Sequence, residues 1–431
     1  MKMPERPEAK SAGAAKGRLV VATLFLSPLV TSAISRLTWF FFPLMAVALI
    51  IPYLRRGNDW RPLIWPITDV VPVLLVAAYV LLGALWAVKP SAAIEKSALL
   101  LAATLIAFAA SRAIAAVDEP QLSQAARAFA IGAFIGALFV LFELLTDGAI
   151  TRLVANASGW FKPESAKHVK ILDGEITKFE AAEFRQSTAL LAFQLWPALL
   201  ALSAVAGRAR RGAWIGLLVV AVSIPILLSD RMSSQLALVS SVVVFSLAYI
   251  WRRAVVRVLA ALWCLGFVLI PPAAFLAYKA EWHLATWVPE SARARMIIWE
   301  FTAERVLERP WLGIGAGSTP ALRIPRGEAE QPEGFVYPRT TGAHAHNIFL
   351  QTWYELGLVG AILVAIAGAL LVLRISLLPV EAQPFAAATF TVFLATVSTS
   401  WGMWQVWLVC GIGLMLLYLL IAARAARKSS L

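Results

Sequence analysis

Long apolar blocks recur along the whole sequence and limit its possible folds more than any other feature. Each block holds roughly 17 to 25 mainly apolar residues, the length that an α-helix needs to cross ~30 Å of hydrocarbon. A helix also pairs its own backbone N–H and C=O groups, as a segment inside a bilayer must. We therefore predict an all-α polytopic membrane protein with about 12 transmembrane helices, at 19–35, 38–54, 66–87, 97–115, 124–146, 189–206, 213–229, 232–250, 258–279, 347–373, 384–402 and 404–423.

The composition supports this class, because 60% of the 431 residues are apolar. Lys16 and Arg18 precede the first block, but no A-x-A cleavage site follows it, so we expect a retained first helix. The predicted organisation is a tail at 1–18, transmembrane helices 1–9 at 19–279 with a loop at 147–188, a large loop at 280–345, transmembrane helices 10–12 at 346–423 and a tail at 424–431.

Lysines and arginines cluster at the ends of the apolar blocks and give the chain a formal net charge of +13. Connections on one side carry groups such as Arg208, Arg210 and Arg211, whereas the short connections on the other side hold few cations. The positive-inside rule then places both termini in the cytoplasm and the loops at 147–188 and 280–345 in the periplasm. Charges at helix ends indicate membrane lipids as partners and no nucleic acid, which would require a basic soluble surface.

No sequence pattern indicates a cofactor or a metal. Cys264 and Cys410 both fall within predicted helices, so no disulfide is expected. The glycines of PWLGIGAGST (310–319) resemble a phosphate-binding loop, but no strand precedes them. We predict a flexible turn there instead.

The loop at 280–345 contains one predicted amphipathic helix. In SARARMIIWEFTAERVLE (291–308), Ile297, Ile298, Phe301 and Leu307 recur at helical spacing with charged residues between them. We expect short helices in this loop, with this one lying on or near the membrane surface.

The first candidate site lies in TTGAHAHNIFLQTWYELGLVG (340–360). On a helix with ~100° per residue, His346 shares a face with Gly357 and Gly360, whose small size would let a neighbouring helix pack closely. His344 would lie about 200° from His346, with no carboxylate nearby, so a zinc site is not supported. His346 can be a proton acceptor at the membrane edge, or a helix-start histidine bonded to a backbone carbonyl.

The second candidate is Arg231, in IPILLSDRMSSQLALV (224–239). It falls between two predicted spans with no loop to hold it in water, which costs free energy unless the cation has a partner. Asp230 or exposure at the helix end would be a structural explanation. The functional alternative is a bound anion such as phosphate, to which an arginine can donate two parallel hydrogen bonds.

Three passages, in this order, resemble the signature region of the O-antigen ligase and polymerase superfamily: LLSDRMSSQLALV, SARARMIIWEFTAERVLERPWLGIGAGST and HAHNIFLQTWYELGLVG. The ligase branch has His, then Asn, Ser or Gln, nine residues, Gly, two residues and Gly. His346, Asn347, Gly357 and Gly360 match that spacing fully.

The resemblance also covers two arginines. The family's membrane-edge arginine usually follows a serine and matches Arg231, although Asp230 intervenes here. Its loop arginine, four residues before a tryptophan, matches Arg295 with Trp299, and Arg293 is a weaker candidate for the same role.

The resemblance implies a GT-C-like fold in the bacterial inner (cytoplasmic) membrane, with a large periplasmic loop between helices 9 and 10 and an active site facing the periplasm. It implies transfer of polysaccharide from undecaprenyl-pyrophosphate to a sugar hydroxyl of lipid A-core, without cofactor or metal. His346 would be the general base of an inverting reaction, and Arg231 and Arg295 would stabilise the pyrophosphate. The expected substrate-binding residues are Arg293, Asn347, His344, Tyr337 and Arg339.

Three alternatives remain open from the sequence. An O-antigen polymerase would use the same donor with a second lipid-linked glycan as acceptor, and a protein O-glycosyltransferase would modify a periplasmic protein. A membrane transporter would have charged or interrupted segments near the bilayer midplane in both halves of the chain, a pattern that the sequence does not clearly contain.

Overall fold

The computed structural model describes residues 7–55, 57–158, 168–325 and 327–427, most of which are helical. In chain order the helices and strands are α1 (Pro7–Ala33), α2 (Thr38–Arg55), α3 (Arg61–Ile64), α4 (Val71–Leu82), α5 (Pro90–Ile114), α6 (Glu119–Leu145), α7 (Ala149–Ser158), β1 (Val169–Leu172), β2 (Glu175–Phe179), α8 (Arg185–Val205), α9 (Arg208–Leu228), α10 (Met232–Lys279), α11 (Glu290–Val306), α12 (Ile348–Leu373), α13 (Gln383–Thr399) and α14 (Val406–Ala426).

Ten helical segments in the described part of the chain are long and apolar enough to cross a membrane. They confirm the predicted class of protein, a helical chain with many membrane-length segments. The first predicted span corresponds to a shorter apolar helix, Arg18–Ala33, which is not among the ten. The spans predicted at 232–250 and 258–279 both lie within α10.

α10 is a single element of 48 residues that bends at Trp251, where the backbone leaves the helical region (φ −120°, ψ 50°). A straight helix of that length would measure about 72 Å, more than twice the ~30 Å of a bilayer core. α13 has only 17 residues, yet it contacts both segments of α10. Phe245 lies 4.9 Å from Phe385 before the bend, and Trp263 lies 6.0 Å from Phe393 after it. The chain therefore folds back at Trp251.

The loop at 147–188 contains a β-hairpin, so the all-α prediction is wrong at this point. β1 and β2 pair antiparallel. Asp173 and Gly174 connect them with positive φ angles of 50° and 83°, which a two-residue type I′ turn needs. Phe179 at the end of β2 is buried with Phe184 and Ala155, so the hairpin packs against α7.

The amphipathic helix of the large loop forms as α11, and its apolar face packs against the protein, whereas its position near the membrane surface stays a prediction. Ile297, Ile298 and Phe301 are buried within the protein. Ala303 on α11 packs with Leu350 of α12. The apolar face is thus covered by neighbouring helices, and α11 is held directly over the start of α12.

The main hydrophobic core joins the helices whose ends carry the candidate site. Trp196 of α8 stacks on Phe245 of α10 with ring centroids 4.6 Å apart, and Phe385 of α13 closes the group. Each such aromatic contact adds about 0.5–1.5 kcal/mol beyond burial. This packing fixes the relative positions of α8, α10 and α13.

Candidate active site

The predicted helix start at His-Asn is confirmed, with Asn347 as the N-cap of α12. Its Oδ1 accepts hydrogen bonds from the backbone N–H groups of Phe349 (3.0 Å) and Leu350 (3.1 Å), and its Nδ2 donates to the Ser398 carbonyl (2.8 Å). Asn347 is 1% exposed. Its amide is therefore occupied in joining the start of α12 to the end of α13, and a role of Asn347 in substrate binding stays a prediction.

His346 occupies a left-handed backbone conformation (φ 54°) and its Nδ1 is hydrogen-bonded to the Ser400 carbonyl. A carbonyl oxygen only accepts, so Nδ1 carries the proton, and the neutral ring keeps a basic lone pair on Nε2. Burial lowers the pKa of His346 to about 4; the bond to Ser400 opposes this, and the positive charges of Arg295 and Arg185 lower the pKa further. The imidazole is therefore neutral near pH 7.

His344 lies directly against His346, with ring centroids 4.0 Å apart. The predicted separation of about 200° on one helix is wrong, because both residues precede α12. A Cβ at Gly402 would lie 2.6 Å from the His344 ring, so this ring needs a glycine beneath it. Among the described residues, the buried Nε2 of His344 has no hydrogen-bond partner. It is thus available to a ligand.

Arg231 and Arg295 come together from different elements, as the resemblance implies. Arg231 is the N-cap of α10, and its Nη2 donates to the Ala182 carbonyl (3.4 Å). Arg295 is on α11; burial and the positive charge of Arg231 lower its pKa. Two guanidinium groups that repel each other in a partly buried site cost free energy, which a bound anion would offset.

Arg185 is a third arginine at this site, and the sequence reading missed it. It begins α8, and its guanidinium lies 5.3 Å from the ring centroid of Trp401. Its positive charge acts on both His344 and His346. A signal was present, because Arg185 lies at the end of the loop at 147–188, directly before an apolar block, as Arg231 also does.

The remaining predicted residues of the large loop have different surroundings. Arg339 pairs with Glu300 (3.1 Å) and Glu304 (2.9 Å) of α11, so it fastens the loop to that helix. The Tyr337 hydroxyl lies near Gly342, 3.5 Å from the position that a Cβ on Gly342 would occupy. In the described part of the chain, the buried Nε of Arg293 has no hydrogen-bond partner. Substrate binding by these three residues stays a prediction.

Gly357 interrupts α12, and the straight helical face predicted for His346, Gly357 and Gly360 is therefore wrong. Gly357 has φ 64° and ψ −167°, angles that a residue with a Cβ rarely adopts. An added Cβ at Gly357 would lie 2.4 Å from the Trp311 backbone, and one at Gly360 would lie 2.1 Å from Leu356 Cβ across the bend. Gly357 therefore lets the loop at Trp311 approach, whereas Gly360 also faces a neighbouring helix, since an added Cβ there would lie 3.2 Å from the Tyr79 ring of α4.

The glycine-rich segment 310–319 is bonded to this bend and is not the free turn that we predicted. Leu358 N–H donates to the Pro310 carbonyl (2.8 Å), and Gly315 N–H donates to the Glu355 carbonyl (2.9 Å). A Cβ at Gly313 would lie 2.5 Å from the Glu355 backbone. The glycines thus serve close backbone contact.

The carboxylate of Glu355 secures the same contact from within α12. It is 0% exposed and accepts hydrogen bonds from Gly317 N–H (2.7 Å), Thr319 Oγ1 (2.5 Å), Gln351 Nε2 (3.3 Å) and Trp404 Nε1 (2.5 Å). Four donors around one carboxylate satisfy the acceptor-only group fully.

Glu355→Gln is expected to lower the free energy of unfolding by about 1–3 kcal/mol, because an amide NH₂ would face donors and leave buried groups unpaired. Thermal unfolding in detergent and limited proteolysis of segment 310–319 measure this. Glu308→Gln is the control, since Glu308 pairs with Arg305 at an exposed position. Equal proteolytic resistance of the two variants would contradict the assigned role of Glu355.

Comparison with known proteins gives one family and two relatives. Residues 196–365 match the O-antigen ligase family. A Rickettsia conorii protein named "Putative polysaccharide ligase" is 25% identical over 370 residues, covering 83% of this chain and 81% of that protein. A protein of Rickettsia felis with the same description is 24% identical over 340 residues, covering 78% and 75%.

The apolar helices and the family match define a multi-pass membrane protein that carries a glycosyltransferase-type enzyme domain. The family match and the two relatives together support the O-antigen ligase superfamily for this chain. The matched range contains Arg231, Arg295 and His346, whereas Arg185 lies before it.

Proposed function

We propose that this protein is an O-antigen ligase that transfers polysaccharide from undecaprenyl-pyrophosphate to a sugar hydroxyl of lipid A-core. The observation that carries the proposal is the state of His346: the Ser400 carbonyl fixes the proton on Nδ1 and leaves Nε2 basic beside arginine side chains. The complete ligase spacing from His346 to Gly360 favours a ligase over a polymerase.

In the proposed reaction, the acceptor hydroxyl attacks the anomeric carbon of the donor sugar while Nε2 of His346 takes its proton. A new C–O bond forms, the bond from the anomeric carbon to the pyrophosphate oxygen breaks, and undecaprenyl-pyrophosphate leaves with the electron pair. A positioned base of this kind contributes typically ~10²–10⁴-fold to the rate. A single displacement from the opposite face inverts the anomeric configuration.

Positive side chains stabilise the leaving group in this proposal. The pyrophosphate gains negative charge as the sugar departs, and fixed cations in a partly buried site are well suited to that charge. Arg231 and Arg295 bind the pyrophosphate, and Arg185 adds a further positive charge that acts on His346. These guanidinium groups would supply the charge that a metal supplies in other phosphate-binding sites, so we propose a metal-independent reaction.

The proposed location is the periplasmic face of the bacterial inner membrane. Arg185 and Arg231 begin two membrane-length helices, α8 and α10. The basic clusters after α8 and at the bend of α10 lie at the other ends of these helices, which the positive-inside rule assigns to the cytoplasm. The polyprenyl tail of the donor would lie among apolar helices, with its pyrophosphate at the outer interface.

The experiment that tests the proposal offers three acceptors to the purified protein. Undecaprenyl-pyrophosphate glycan is incubated with lipid A-core, with further carrier-linked glycan, or with a periplasmic acceptor protein, and products are separated by mass. We expect glycan on lipid A-core. Lengthening on the carrier would identify a polymerase, and glycan on the protein would identify a protein O-glycosyltransferase. Movement of intact donor across a vesicle membrane without transfer would identify a transporter.

The activity is expected to persist at acidic pH. Because burial lowers the pKa of His346 to about 4, the imidazole stays neutral and able to accept a proton down to about that pH. kcat/KM should therefore fall only as the pH drops through about 4, whereas an ordinary histidine would lose activity near ~6.5. Return of an acid-exposed sample to pH 7 checks for unfolding. An acid limb near 6.5 would contradict the assignment.

Arg185→Gln is expected to slow transfer by about 10- to 100-fold, the loss of one hydrogen bond to a charged group. It should also raise the pKa of His346, since a positive charge that lowers this pKa is removed. The acid limb of kcat/KM then moves to higher pH. Arg185→Lys retains the positive charge, so its kcat/KM should fall at the same acidic pH as that of wild type. An unchanged limb in Arg185→Gln would exclude electrostatic contact with His346.

A further inference from the structure

A groove lies among α6, α8 and α9, at the end of the helix bundle away from the candidate active site. Its volume is about 550 Å³, within the ~300–1,000 Å³ range of small-molecule sites. α8 begins at Arg185 in the site and ends at Val205 in the groove. Its 21 residues correspond to about 30 Å, so the groove is separate from the site.

The groove is apolar along its length and positive at its rim. Ile131 and Phe134 of α6 face Trp214 of α9 across it. Of the described residues that line it, the only charged ones are Arg127 and Arg210. This distribution matches a molecule with an anionic head and an apolar tail.

The two arginines are available to such a head. Arg127 and Arg210 are exposed. Arg127 donates one hydrogen bond, from Nη2 to the Val205 carbonyl (3.4 Å), which leaves most of its five N–H donors for a ligand. Trp214 is 50% exposed, a position typical of aromatic residues at the level of lipid headgroups.

A second groove indicates that the ligand has two chains. It adjoins the first across Ile131, has a volume of about 390 Å³ and is lined by Arg18, Val21 and Phe25 of α1 and by α6. Ile131, which is 46% exposed, forms the ridge between the grooves. One chain can lie on each side of this ridge while the head stays near the arginines.

We infer that these paired grooves bind an anionic phospholipid of the surrounding bilayer, with its phosphate between Arg127 and Arg210 and its two acyl chains on either side of Ile131. Arginine suits a phosphate because its guanidinium donates two parallel hydrogen bonds. A zwitterionic phospholipid carries a cationic group next to the phosphate, which the positive rim would repel. The site therefore selects lipids by net headgroup charge.

Native mass spectrometry of the detergent-solubilised protein tests this, with dioleoyl phosphatidylglycerol and dioleoyl phosphatidylcholine as probes. We expect wild type to retain phosphatidylglycerol in preference to phosphatidylcholine. The double variant Arg127→Ala/Arg210→Ala should bind phosphatidylglycerol about 10- to 30-fold more weakly, as ~1 kcal/mol per basic residue predicts. Phosphatidylcholine binding should not weaken.

Arg252→Ala/Arg253→Ala is the matched control, because it removes two exposed arginines outside the grooves. It should retain wild-type lipid binding, and all proteins should unfold at the same temperature in lipid-free detergent. If both double variants lost phosphatidylglycerol binding equally, the effect would come from the net charge of the protein, and the inference would be overturned. Equal wild-type binding of the two lipids, or a dimer that excludes lipid from the grooves, would also overturn it.

Discussion

His346→Asn is expected to lower the single-turnover rate of glycan transfer by about 10²- to 10⁴-fold, the usual contribution of a positioned base. The asparagine side chain has no group that can take the proton from the acceptor hydroxyl. Binding of the donor should change little, because the pyrophosphate is assigned to arginines. Rapid-quench transfer and donor binding, measured separately, distinguish a chemical defect from a binding defect.

Asparagine is the informative replacement because it preserves the local structure. It tolerates the left-handed conformation that His346 adopts (φ 54°), and its Nδ2 can still donate to the Ser400 carbonyl. His344→Asn is the neighbouring control and should retain the chemical step, although acceptor binding can weaken. A wild-type rate of transfer by His346→Asn would contradict the assignment of His346 as the base. A variant that loses only donor affinity would indicate that His346 binds the donor instead.

Arg295→Gln is expected to lower the transfer rate by about 10²- to 10³-fold, the loss associated with removing one preorganised donor to a developing charge. Arg295 is held on α11 close to Arg231, so a guanidinium at this place meets the leaving pyrophosphate with little rearrangement. Arg295→Lys should recover part of the rate, because the charge returns without the paired donors. Single-turnover rates of the three proteins measure both effects.

Arg305→Gln is the control on the same helix. Arg305 pairs with exposed Glu308, so removal of the Arg305 guanidinium should leave the transfer rate unchanged. This variant tests whether a change of charge on α11 alters the rate by itself. The Arg231→Gln/Arg295→Gln double variant should lose less than the product of the single losses, since both act on one leaving group. Full transfer by a folded Arg295→Gln protein would remove Arg295 from the site.

Much of the architecture could be predicted because lipid imposes simple rules. Apolar blocks must form helices, and the predicted spans at 38–54 and 347–373 agree within one residue with α2 and α12. The start of α12 was predictable from Asn347, a residue type that caps helices through its side chain. The hairpin was also readable, since Asp173 and Gly174 form a strong local turn signal between alternating residues.

The break in α10 at Trp251 falls in the gap predicted between the spans at 232–250 and 258–279. The bend of α12 at Gly357 could not be predicted, because hydropathy does not distinguish a straight helix from a bent one. Gly357 has a positive φ where Trp311 and Leu312 pack against it, and that contact joins residues far apart in sequence. For the same reason the sequence could not pair His346 with Ser400 or bring Arg185 to it. Such contacts depend on how α8, α12 and α13 meet, which helical spacing within one segment does not reveal.

The anomeric configuration of the product tests the central claim most directly. Purified protein, an undecaprenyl-pyrophosphate glycan of defined configuration and lipid A-core are incubated with EDTA, and the new linkage is assigned by NMR. Direct displacement, with His346 as base and arginines at the pyrophosphate, predicts transfer in EDTA with inversion at the anomeric carbon. A retained configuration, or transfer that requires an added divalent metal, would contradict this mechanism.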